Sequence, residues 1–577
     1  MQLHRHHNHK TQNMKKITII FALIAIAFTS LKLTSQNFEW AKQLGGTTND
    51  QGIAITVDAV GNVYTTGRFT NTADFDPGNG TFNLTSVGSR DIFISKLNAT
   101  GDFIWANQLG GTTDEIANSI TADAAGNIYI TGNFEGTADF DPSASPFNLT
   151  SIGMDDIFIV KLNTAGNFLW AKQIGGTSPD LGYGIITDAS GSVYITGTFE
   201  GTVDFDPGAG VFNLSSAVFN DAFICKLDSA GNFIWAKQFA GTSSVNSNGI
   251  NIDSSGNIYV AGDFFETVDF DPNSGTFNLT AAGNFNDIFV CKLNSSGNLV
   301  WAKQMGGNGI DIARAISIDA SGNVLTTGDF GALADFDPGA GTFPLSPIGL
   351  QDTFVSKLDA SGNFVWTKQF GGTDIVIGNS ITTDATGKVF STGYFQGTAD
   401  LDPGSGTLNF TSQGIGDAFI SSLNTDGESV WAIQLGGMDI CEGKSIYADD
   451  AGKIYTTGYF GETIDFDPSN NTFNLTSTGA DDVFVYKISQ DPLAVDEHTD
   501  NDFLMIPNPT SGQITIYLKN NSETINLEIR NILGQVQFRK TYNHTSKIDL
   551  SIEGQSGIYF LEIQNENNKI VKKLVKK

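Results

Sequence analysis

Between residues 38 and 490 the sequence has no histidine. That absence excludes Ser-His-Asp and Cys-His catalytic arrangements from the stretch, and with them His-ligated zinc or iron. His498 and His544 lie beyond it. Cysteine is almost as scarce, with Cys225, Cys291 and Cys441 the only three. Cys225 and Cys291 stand where neighbouring copies of the pattern have Ser95, Val160 and Ser356, which makes them small strand fillers rather than a disulfide. Basic side chains number 32 against 62 acidic ones, too few for a protein that holds a phosphate backbone. Charged residues make up 16% of the chain, against roughly 25% in an average domain. The middle of the chain shows no sustained helical periodicity and no Gly-rich phosphate loop ending in Gly-Lys-Ser/Thr.

Glycine and phenylalanine are abundant, at 65 and 43 positions. A disordered chain would lack such aromatics. Charge is unevenly spread. Residues 1–37 carry five basic and no acidic side chains, and residues 501–577 carry ten basic and seven acidic. The middle, 38–500, is left with 55 acidic and 17 basic residues, a surface that repels anionic lipid and nucleic acid.

Residues 1–35 read as a secretory signal peptide. Met14-Lys15-Lys16 precedes an apolar run, Ile17 to Phe28, and small polar residues follow up to Gln36. Translation is expected to start at Met14. The run is too short for a bilayer span, which needs about 20 residues, so the mature protein is expected to have no transmembrane segment.

Residues 36–490 repeat one unit seven times. The Trp residues are Trp40, Trp105, Trp170, Trp235, Trp301, Trp366 and Trp431, spaced by 65 or 66 positions. In the first unit, Gly52 to Asp58 alternates and turns through Gly61-Asn62 into Val63 to Phe69. An insert, Ala73 to Thr85, comes next, and Asp91 to Leu97 then turns through Gly101 into Phe103 to Leu109. Alternation punctuated by Gly-Asn and Gly-Asp is the hairpin pattern, and four such strands per repeat make a propeller blade. The seventh copy stops at Ile488 without a Trp strand, while the chain opens on an orphan one, Phe38 to Leu44. The expected fold is therefore all-β: a seven-bladed β-propeller of 65-residue repeats, closed by the N-terminal Trp strand and followed by a small C-terminal β-sandwich.

The unit Asp-x-x-Gly-Asn-(Val/Ile)-Tyr-x-x-Gly, followed by Asp-x-Phe-(Ile/Val)-x-Lys-Leu, resembles the seven-bladed-propeller repeat called SBBP. The first motif stands at Asp58 to Gly67, Asp123 to Gly132 and Asp253 to Gly262, and departs from the family at Leu325 and Phe390. The resemblance implies a fold and no reaction. Six of the seven Trp follow a Gly by four positions, as Gly101 and Trp105 do, which is similar to the tryptophan docking of quinoprotein propellers. No quinone ligands accompany it.

Carboxylates are the one abundant reactive group. Each insert pairs two in an Asp-x-Asp-Pro: Asp74 and Asp76, Asp139 and Asp141, Asp204 and Asp206, Asp269 and Asp271, Asp335 and Asp337, Asp400 and Asp402, Asp465 and Asp467. Residues two apart on a strand face one side, so each pair can offer oxygens to calcium. The competing reading is an Asx-type turn in which Asp bonds its own backbone before Pro-Gly. No other cofactor is expected. A catalytic site would need one asymmetric place, and Asp180 beside Pro179, or Cys441-Glu442, are points where one copy departs from the rest.

After a polar linker, 491–502, residues 503–577 open on Ile506 to Gly512 and run through Leu527 to Val536, Ile548 to Ser551 and Gly557 to Ile563 to a Lys-rich end. This closely resembles the type A C-terminal sorting domain of type IX secretion substrates in Bacteroidota. The resemblance implies that residues 503–577 engage the type IX machinery, and that the cargo is released or held at the outer-membrane surface. Together these readings point to a secreted or cell-surface, non-catalytic binding or adhesion scaffold for an extracellular glycan or protein. The alternatives are a polysaccharide-acting enzyme and a purely structural surface protein.

Overall fold

The computed structural model describes residues 34–469, 471–492, 503–506, 510, 512–531, 536–552, 557–564 and 569–576. The expected signal peptide lies outside them except for Thr34 and Ser35, and the linker except for Asp491 and Pro492. The chain divides into two compact units, residues 36–490 and the segments flanking them. All regular structure among the described residues is strand, and no helix is long and apolar enough to cross a membrane.

The first repeat shows how the sequence sets the strands. Gln51–Val57, Val63–Phe69, Asp91–Leu97 and Phe103–Gly111 lie side by side in that order, all antiparallel. The first hairpin closes because Gly61, at φ +86°, takes the left-handed conformation that favours glycine, and donates its amide to the Asp58 carbonyl at 2.9 Å. The Asp58 carboxylate then gathers the Asn62 amide, the Asn62 side chain and the Tyr64 hydroxyl, at 2.9, 2.7 and 3.0 Å. The two central strands are buried almost throughout, the mark of a sheet covered on both faces.

The same four-strand set recurs. Its first strands are Gln51–Val57, Glu115–Ala122, Leu181–Thr187, Val245–Ile252, Asp311–Ile318, Val376–Thr383 and Cys441–Ala448. In the last set the order is Cys441–Ala448, Lys453–Asp465, Asn474–Pro492 and then Thr34–Gly46. The N-terminal Trp strand thus lies beside the final strand of the repeats.

Apolar cores sit between consecutive sets. One cluster joins Tyr64, Ile92 and Leu109 of the first set to Ile128, Phe134 and Phe158 of the second. Another joins Trp40, Tyr455, Val483 and Val485 of the last set to Ile55, Val57, Phe69 and Phe93 of the first. A fully buried side chain of this size contributes about 1.5–3 kcal/mol.

The inserts cover sheet edges. Thr72–Asp74 pairs with Asn83–Thr85 and, through Gly45↔Asp74 and Gly46↔Ala73, with the N-terminal Trp strand. A β-carbon on Gly46 would stand 2.2 Å from the Thr72 carbonyl, so a side chain there would push the insert off the edge it covers.

In the C-terminal segment, strands Phe503–Ile506, Gln513–Asn531, Val536–Ser551, Gly557–Gln564 and Lys569–Lys576 are hydrogen-bonded into one connected sheet. The sequence pattern called for a sandwich. The hydrogen bonding is continuous because Gln513–Asn531 and Val536–Ser551 run on through a register shift between Tyr517 and Ser522 instead of ending there. Ile516, Leu527, Ile529, Leu561 and Leu574 fill its core.

Candidate functional site

The paired carboxylates of the inserts act on their own backbone. Asp74 Oδ1 accepts the amides of Asp76, at 3.0 Å, and Phe82, at 2.8 Å, and Asp76 Oδ1 accepts that of Gly78 at 2.8 Å. The first Asp of every other pair does the same: Asp139 on Asp141 and Phe147, Asp204 on Asp206 and Phe212, and Asp269 on Asp271 and Phe277. Asp335 holds Asp337 and Phe343, Asp400 holds Asp402 and Leu408, and Asp465 holds Asp467 and Phe473. Phe75 between the first pair is fully buried, so the insert is pinned by one aromatic and two carboxylates. No group of three or more His, Cys, Asp or Glu placed to hold a metal occurs among the described residues.

A second series of acids is buried between sets. Asp91 accepts from Gln108 at 2.6 Å, and Asp156, Asp221, Asp287, Asp352, Asp417 and Asp482 accept from the equivalent Gln. Four of them face another acid at the start of the next first strand: Asp482 with Asp50, Asp91 with Glu115, Asp156 with Asp180, and Asp287 with Asp311. Burial, with the neighbouring carboxylate adding to it, pushes Asp50, Glu115 and Asp180 up to about 7 and Asp311 up to about 8. Asp180, singled out in the sequence, belongs to this series.

The repeats differ at the end of the second strand. There Gly and Phe are constant, as in Gly67 and Phe69, while the residue between them changes from set to set: Arg68, Asn133, Thr198, Asp263, Asp329, Tyr394 and Tyr459. Five of them bond to side chains from the first strand or from the loop before the third. Arg68 donates through Nε and Nη2 to Gln51 Oε1, at 3.1 and 2.7 Å, and Asn133 donates to Asp155 at 2.7 Å. Asp263 accepts from Asn246, Asn248 and Asn286 at 2.8, 3.0 and 2.6 Å. Asp329 pairs with Arg314 and accepts from Gln351, and Tyr459 donates to Glu442, which also takes Lys444 at 2.7 Å. Gly416 leaves room beside Tyr394, since a β-carbon would come within 3.3 Å of that ring.

Burial raises the Asp263 carboxyl against the pull of its three Asn donors, and raises Asp329 against that of Arg314. Burial also lowers the Arg68 guanidinium, with the positive Arg90 adding to the effect. The row passes from set to set: Asn118 donates to the Gly182 carbonyl, Asn248 to that of Ala313 and Asn379 to that of Gly443, each at 2.9 Å. Sequence reasoning overlooked this row except for Glu442. The signal that finds it is a variable residue between two constant ones.

The Trp residues dock between sets, as the sequence implied. Trp105 Nε1 donates to the Thr164 carbonyl at 3.4 Å and Trp366 Nε1 to that of Thr425 at 3.1 Å. Cys225, Cys291 and Cys441 are free and buried.

Comparison with known proteins agrees with this architecture. Residues 504–577 match the family model of the secretion system C-terminal sorting domain, and residues 39–76, 104–133, 169–198 and 234–263 match the β-propeller repeat SBBP. The chain is 24% identical over 509 residues to an uncharacterized WD repeat-containing protein of Acanthamoeba polyphaga mimivirus, covering 75% of this chain and 37% of that protein. It is 22% identical over 460 residues to the regulatory protein FlaEY of Caulobacter vibrioides, covering 67% and 47%. The chain therefore spans less than half the length of either relative. A protein of unknown function from Bacteroides caccae, whose structure is solved, is similar over 59% of this chain and 89% of its own, at 12% identity and a TM-score of 0.28. The sorting domain marks the chain as secreted or displayed at the outer-membrane surface.

Proposed function

We propose that this chain, built of β-propeller repeats ahead of a secretion sorting domain, is an extracellular binding scaffold whose ligand contacts the variable row. In this reading residues 36–490 form a closed ring of seven blades, and the row lies around one rim. Closure is supported by the Trp40 strand beside the last strand, and by the core shared between Tyr455, Val483, Ile55 and Phe69. Residues 503–577 engage the type IX export machinery, after which the ring is the functional body.

One observation carries the binding reading. In repeats that hold Gly, Phe and Trp at fixed places, diversity gathers at one strand end, where the side chains are polar, aromatic and preorganised by mutual hydrogen bonds. Folding needs the shared positions, and recognition of a single ligand needs the positions that differ. The full chain and a row variant, Asn133→Ala with Tyr459→Phe, should be screened on an array of extracellular polysaccharides and matrix proteins. Saturable binding lost in the variant, with no cleavage products, supports the scaffold. Equal binding by both proteins, or turnover, overturns it.

A further inference from the structure

Resting on that reading, we infer that the rim receives a protein partner, which lays apolar side chains over the second to sixth blades and sets a carboxylate against Arg68 and Arg90.

Between residues 36 and 490 the chain has three arginines, Arg68, Arg90 and Arg314, and all three belong to the row or to the strands and loops that meet it. Arg314 is paired with Asp329, and Arg90 reaches Asp114 at 3.6 Å. Arg68 is different. Its guanidinium is half-buried and bonded to the neutral Gln51 side chain, and no carboxylate of the described residues lies within 4.0 Å of it. A half-buried guanidinium bonded to a neutral amide, with Arg90 and its partner Asp114 nearby but out of contact, has donors left for an anion, and its planar fork suits a carboxylate. That site is out of keeping with a ring that is otherwise strongly acidic, so its charge is best explained by what it meets.

The second observation lies one residue away. The loop position just before the residues that meet the row holds Met154, Phe219, Phe285, Leu350 and Ile415 on five consecutive blades, all exposed, from 47% for Phe285 to 67% for Leu350. On the first and seventh blades it holds Ser89 and Ala480. The rim therefore has an apolar arc interrupted at the sector where Arg68 and Arg90 stand. Exposed Met and aromatic side chains together with Arg, and few lysines, are the composition of a protein interface. A glycan would use the amides and tyrosines and leave the arc in water.

The test is a phage-displayed random peptide library panned on the full chain, with a panel of uronic-acid polysaccharides assayed in parallel. The variants are Arg68→Gln with Arg90→Gln, and Phe219→Ser with Phe285→Ser, each checked for unchanged circular dichroism. The expected result is enriched peptides that carry an acid beside apolar residues and bind either variant at least about tenfold more weakly, the loss of one well-made contact. Polysaccharide binding that depends on Arg68, with no peptide enriched, overturns the protein partner and leaves the scaffold standing. Binding by neither probe at the rim overturns both.

Discussion

Trp40 and Lys487 donate to the same oxygen, the carbonyl of Ala99, at 3.3 and 2.8 Å. One comes from the first described strand and the other from the last strand of the repeats. At an internal junction Trp105 and Lys96 hold the Thr164 carbonyl in the same way, at 3.4 and 2.9 Å. The junction between the last set and the first thus repeats the bonding of an internal one. What is added there is Glu39, which reaches Lys487 at 2.9 Å and Lys453 at 3.4 Å. The other Trp strands have Ile104, Leu169, Ile234, Val300, Val365 or Val430 at that position.

Replacing Glu39 by Gln leaves Lys487, which is 2% exposed at its side chain, without its carboxylate. The expected cost is about 1–3 kcal/mol, read from urea denaturation, and it should shrink as pH falls. Burial raises the Glu39 carboxyl, but Lys487 and Lys453 outweigh it and leave it lowered, so its contribution is present above the unfolded pKa and is lost as pH falls through the folded one. A loss that is unchanged at acid pH would mean that the pair does not hold that junction.

Trp431 stands on the fourth strand of the sixth set, and the seventh set takes its own fourth strand from Thr34–Gly46 in place of a hairpin turn. Its Nε1 finds no acceptor, and the Lys of the other repeats is Ser422 there. Trp431→Phe should therefore cost less than Trp366→Phe, by the worth of one hydrogen bond, about 0.5–1.5 kcal/mol. Equal losses in thermal unfolding would remove the distinction.

The buried acid pairs predict a protein that is more stable at mildly acid pH. Asp50, Glu115 and Asp180 lie near 7 and Asp311 near 8, against 3.8 for a free Asp and 4.5 for a free Glu. Between those limits the folded state binds more protons than the unfolded, so stability falls as pH rises from about 4 to 8. The melting temperature at pH 5.5 should exceed that at pH 8.5, and Asp311→Asn should raise the alkaline value and flatten the profile. A profile unaffected by that substitution would assign the slope to general charge repulsion.

The inserts separate a turn role from calcium. Asp74→Asn keeps the oxygen that accepts the Asp76 and Phe82 amides, while Asp74→Ala removes it. On the turn role, Asn is near neutral and Ala costs about 1–2 kcal/mol. A calcium role predicts that both substitutions cost alike, and that a chelator lowers the wild-type melting temperature to theirs.

The repeat length, the four strands, the Trp docking and the sorting domain were legible because each is written as a pattern: a spacing, an alternation or a motif. Val63 to Phe69 and Asp91 to Leu97 are strands at the positions their alternation gave. The row was not legible to a reading that searched for what the copies share. Arg68 looks like one charged residue in one strand until it is set against Asn133 and Tyr459. The work of Asp74 was open between ion and turn because it depends on where the Phe82 amide arrives, eight residues on. Nor does a sequence show that Asp287 and Asp311 meet across two sets.

Gln43 and Asp482, bonded at 2.6 Å, are separated by 439 positions. A ribosome adding roughly 5–20 residues per second takes about 20–90 s to make that interval. Throughout it, the strand Thr34–Gly46 lacks its neighbour Asn474–Pro492. The strand made ahead of the repeats thus waits longest for its neighbour, until the residues just before the sorting domain exist.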